Sequence, residues 1–122
     1  MKKILSILLI TISVFMFAQN KEFSQSYNNY AFKRSSDKDF TIKPGKVFMV
    51  FNVNGGNSIS LNFPDKSFIF QMTSDSRKGG TYPDTYQEVN VTDGQKDAII
   101  IVYDDYRYGC LIIYKDIVFG VF

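Results

Sequence analysis

Residues 98–122 read AIIIVYDDYRYGCLIIYKDIVFGVF: three runs of β-branched and aromatic residues, 98–103, 108–114 and 117–122, parted by charged turns. Such runs suit a pleated surface and predict strands. They do not alternate cleanly between apolar and polar, so the expectation is three adjacent antiparallel strands covered on both faces. Whatever the rest of the chain builds must help to cover them.

Working upstream, Asp93-Gly94 is a strong hairpin signal. It is preceded by Thr85–Thr92, in which Gln87, Val89 and Val91 oppose Tyr86, Glu88 and Asn90. Residues 74–84 (SDSRKGGTYPD) carry Gly79-Gly80, Pro83 and several charges, and read as one long exposed loop. Before it, Ser67–Thr73 places Phe68, Phe70 and Met72 on one side, and Ser58–Phe63 alternates Ile59, Leu61 and Phe63 with Ser58, Ser60 and Asn62. Asn54-Gly55-Gly56-Asn57 is turn chemistry, and Val47–Val53 again alternates. Phe40–Ile42 reads as a short strand ended by Pro44-Gly45. The sum is an all-β, antiparallel meander of about eight short strands, forming a β-sandwich or a small up-and-down barrel. The sandwich is preferred, because short strands leave little material for a wide barrel.

Residues 19–39 are rich in Ser, Asn, Gln and Lys and predict a loosely ordered polar arm; Phe23, Tyr27, Tyr30 and Ala31 at helical spacing offer a short helix as the lesser reading. Residues 1–18 combine Lys2 and Lys3, an apolar run from Ile4 to Phe17 and the small Ala18, the grammar of a cleaved signal peptide. The run is shorter than the ~20 residues of a spanning helix. The expected layout is therefore a signal peptide (1–18), a polar N-terminal arm (19–39) and an antiparallel β domain (40–122), with a secreted or periplasmic destination. The predicted strands are too short for a membrane barrel, so no membrane insertion of the mature chain is expected.

The full chain has 14 basic and 12 acidic side chains; without Lys2 and Lys3 the count is 12 against 12. No charge excess argues for nucleic acid. The single cysteine, Cys110, cannot form an internal disulfide and reads as a buried apolar residue. Histidine is absent, which removes Ser-His and Cys-His activation and imidazole metal ligation. Neither phosphate-binding glycine motif occurs. Asp93, Asp97, Asp104, Asp105 and Asp116 fall in turns that the meander scatters to opposite ends, which disfavours a carboxylate-based hydrolase and leaves calcium as a weak idea. The chain is read as non-enzymatic, with no cofactor and no metal.

The positive signal is aromatic: 8 Tyr and 12 Phe. Tyr82 and Tyr106 lie in predicted loops beside Arg77, Lys78 and Arg107, a composition typical of contact surfaces. The expected function is an exported binding module whose loop aromatics contact a glycan or a protein, a homodimer included. The alternative is a small carrier that holds an apolar ligand inside the β domain.

Overall fold

Twelve residues of the polar arm form the strand that closes the fold. In the computed structural model, which describes residues 21–122, the order is β1 (Phe23–Arg34), β2 (Thr41–Asn52), a single helical turn α1 (Val53–Gly56), β3 (Ser58–Asn62), β4 (Ser67–Met72), β5 (Arg77–Gly79), β6 (Tyr86–Thr92), β7 (Asp97–Tyr103), a 3₁₀ turn (Tyr106–Tyr108), β8 (Cys110–Ile113) and β9 (Ile117–Val121). The expected signal peptide lies outside the described residues.

All pairings are antiparallel. The sheet runs β4-β3-β2-β1-β9-β8-β7-β6-β5, and β4 also pairs with β6, so eight strands close a ring while β5 continues along the edge of β6 that β4 leaves. The preferred sandwich is thereby corrected to a barrel. The reason is β1: it pairs with β2 along one edge and, from Tyr30↔Val121 to Arg34↔Ile117, with β9 along the other, and so links the two parts of the ring.

The helical spacing in this segment has a different cause. The register against β2 shifts between Tyr27 and Asn29. Such a bulge advances the inward phase by one residue, so Tyr27 and Tyr30 both reach the interior although they are three apart. Pro44-Gly45, expected to end a strand, sits inside β2 at this irregularity, where Gly45 and Lys46 together face Asn28 and Pro44 pairs with Asn29. A Cβ on Gly45 would lie 2.9 Å from the Tyr30 ring, so any larger residue there would have to displace that ring.

Inward alternation fills the middle of the barrel and one end with Val47, Met49, Phe51, Ile59, Phe70, Val89, Ile100, Cys110, Ile112 and Val121, all essentially inaccessible. The 3₁₀ turn folds over that end, where Tyr106 stacks on Tyr27 at 5.5 Å and donates its hydroxyl hydrogen bond to the Ser26 carbonyl. The three C-terminal strands are adjacent, as expected, but among the described residues no second layer covers their outer face. There Ile99, Ile101, Leu111, Ile113 and Val118 are half-buried by cross-strand pairing with one another.

Candidate functional site at the barrel mouth

Four connections, residues 35–40, 63–66, 93–96 and 114–116, gather at the end opposite the 3₁₀ turn. Inward residues flanking them are large and apolar and leave open space above the packed core. Leu61, Phe63, Phe68, Phe70, Ile112, Tyr114, Ile117 and Phe119 surround a pocket of about 290 Å³, rimmed by Asp93, Gln95 and Lys96. Its floor is the packed core, because Leu61, Phe70 and Ile112 belong to both.

The walls are held by ring contacts and by one polar clamp. Phe63 meets Tyr30 and Phe68 edge-on at 5.2 and 6.0 Å, and Tyr114 meets Phe119 edge-on at 6.2 Å. Asp93 Oδ1 accepts the backbone N–H groups of Gln95 and Lys96, each at 2.8 Å, which builds the tight turn between β6 and β7. Its Oδ2 accepts the Tyr114 hydroxyl at 3.0 Å, tying that turn to the end of β8. The Lys96 and Gln95 N–H groups, with the Tyr114 hydroxyl, hold the Asp93 carboxyl below its usual range. Burial first, and then the Asp93 carboxylate, push the Tyr114 phenol well above its ordinary value. Lys96 and Asp116, 3.7 Å apart, bridge the same two turns.

A second pocket, also of about 290 Å³, shares Phe63, Ile117 and Phe119 with the first and extends toward Tyr30, Phe32, Arg34, Lys43, Asp65 and Lys66. Together the two fall within the ~300–1,000 Å³ usual for small-molecule sites. A larger, more open depression of about 570 Å³ is lined by Val91, Ala98, Ile99, Ile113 and Tyr114 together with the polar Thr73, Asn90, Asp97 and Lys115.

The loop residues singled out from sequence lie at the other end. Their loops do adjoin, since Asp104 N–H donates to the Thr85 carbonyl at 3.0 Å. Most of the side chains are engaged within the fold, however. Tyr106 is committed to Ser26 and Tyr27. Arg107 chelates Asp105, with Nη2 to Oδ2 at 2.7 Å and Nε to Oδ1 at 3.1 Å. Arg77 bonds Glu88 at 2.9 Å and Asn90 at 3.0 Å. Lys78 is exposed on β5, and Tyr82 is 88% exposed.

Among the described residues no group of three or more Cys, Asp or Glu side chains could hold a metal ion. Cys110 is free and buried, with Sγ 3.1 Å from the Tyr27 hydroxyl, and burial pushes its thiol up to about 12. Comparison with protein-family models, curated proteins and solved structures returned no match.

The mouth residues were hidden in sequence because each reads as ordinary core. The usable signal is positional: Phe63, Phe68, Tyr114 and Ile117 are inward-phase residues next to turns that antiparallel pairing sends to the same end. Polar or small residues would be expected there if the end were simply capped.

Proposed function

We propose that the barrel mouth binds a small, largely apolar ligand and that the protein acts as a non-enzymatic carrier, exported by means of residues 1–18. The observation that supports this reading is the aromatic-lined pocket of about 290 Å³ above a close-packed floor. A protein that needed only a stable barrel would fill that space, because voids cost packing energy. The Asp93 carboxylate at the rim is already engaged by three donors, which fits a structural clamp better than a proton acceptor in catalysis.

Each methylene buried contributes ~0.8 kcal/mol, or about fourfold in affinity. Calorimetric titration with straight-chain alkanols of increasing length should therefore show affinity rising about fourfold per methylene and then levelling once the pocket is full. Phe68→Asp, at a partly exposed wall position, should abolish binding and leave the fold intact by circular dichroism. Affinities that ignore both chain length and Phe68→Asp would sink the proposal.

A second reading, glycan or protein contact through the opposite loops, keeps Tyr82 as its support, because a tyrosine ring 88% exposed on a loop is a ready contact group. Tyr82→Ala distinguishes the two: it leaves alkanol binding unchanged on the carrier reading and weakens partner capture on the other.

A further inference from the structure

We propose that the ligand of the mouth is a single-chain amphiphile with an acidic head, whose tail fills the pocket beneath Phe68 and Tyr114 and whose head lies in the adjoining pocket beside Arg34, Lys43 and Lys66. The inference rests on the carrier reading and specifies its ligand. Two observations carry it.

The first is continuity. The tail and head compartments share Phe63, Ile117 and Phe119 in their walls, so they lie side by side at the mouth, within reach of one elongated molecule. The tail compartment is lined chiefly by aromatic and aliphatic side chains, whereas the outer one carries four charged residues on its wall.

The second is charge. Of those four, three are basic and one, Asp65, is acidic. Among the described residues none of Arg34, Lys43 and Lys66 forms an ion pair; the ion pairs run Arg77–Glu88, Lys96–Asp116 and Arg107–Asp105. The three cations lie instead over ring faces: Arg34 and Lys43 at 5.9 and 5.8 Å from the Phe32 centroid, and Lys66 at 5.9 and 5.7 Å from Phe63 and Phe68. This stacking holds the cationic heads above the apolar entrance. A carboxylate or phosphate entering there gains charge-assisted hydrogen bonds that a neutral head cannot make.

Three probes with the same tail test this by calorimetry at low salt: dodecanoate, dodecyl phosphate and dodecanol. An acidic probe should bind about tenfold tighter than the alcohol, and the tighter of the two acids names the head. The double variant Lys43→Gln, Lys66→Gln should remove most of that advantage, leave dodecanol within twofold and unfold at a similar temperature, because both side chains are exposed. Raising salt should shrink the acid's advantage in the parent protein. Equal affinities for acid and alcohol, or an advantage untouched by the double variant, would overturn the head-group assignment and leave the apolar pocket standing. Failure of all three probes to bind would overturn both.

Discussion

Gly109 holds the 3₁₀ turn against the last strand at a φ of 69°, and a Cβ there would stand 1.8 Å from the Val121 carbonyl oxygen. Backbone, not a flexible side chain, is in the way, so Gly109→Ala is expected to cost at least ~2 kcal/mol and lower the melting temperature by about 10 °C or more. An unchanged melting curve would show that the turn is not seated on β9. The neighbouring Cys110 gives a pH prediction. Its thiol keeps its proton in the folded barrel up to about 12, whereas the unfolded chain loses it from about 9.0. Below pH 9 both states are protonated and the thiol adds no pH dependence. Between about 9 and 12 the unfolded state alone releases the proton, so stability falls as pH rises through that window. In keeping with this, thiol labelling at pH 8 should be negligible without denaturant and complete with it. Quantitative labelling of the native protein would contradict the burial of Cys110.

At the scale of elements, β1 carries the largest difference between sequence and structure. Its inward Phe23 and Tyr27 follow the strand period, but the bulge before Asn29 resets the phase, and the combined spacing resembles a helix. Much of the remaining meander was legible where its period is unbroken, although β5 lies within residues 74–84, which read as a loop, and β2 runs through Pro44-Gly45, which read as a stop. Val47, Met49 and Phe51, Ile59 and Leu61, and Val89 and Val91 all face inward as alternation predicts. Closure was not legible, since nothing local in β1 names β9, more than 80 residues away, as its second neighbour. Amide hydrogen exchange tests the role of this strand. Tyr30, Ala31 and Phe32 should be protected as strongly as the amides of β8, and removing residues 21–34 should abolish cooperative unfolding. A stable, monomeric truncated protein would show that β1 is an accessory rather than a stave.

For the whole molecule, the two ends of the barrel divide the side chains that sequence reading had grouped only by type. The Tyr and Arg residues of the loop end mostly bind their own fold, as Tyr106 does with Ser26 and Arg107 with Asp105. The aromatics of the turn end line open space instead. Site prediction from composition favoured the first set because loops and charges mark surfaces, while Phe63, Tyr114 and Phe119 could be told from core only once the ring had closed and shown where packing stops. The most direct test of the central claim is a map of backbone amide shifts in isotope-labelled protein titrated with dodecanol. Saturable shifts are expected at Leu61, Phe63, Phe68, Ile112, Tyr114 and Phe119, with residues 80–85 and 104–109 unmoved. Shifts confined to those loops, or none at the mouth at saturating ligand, would contradict the claim.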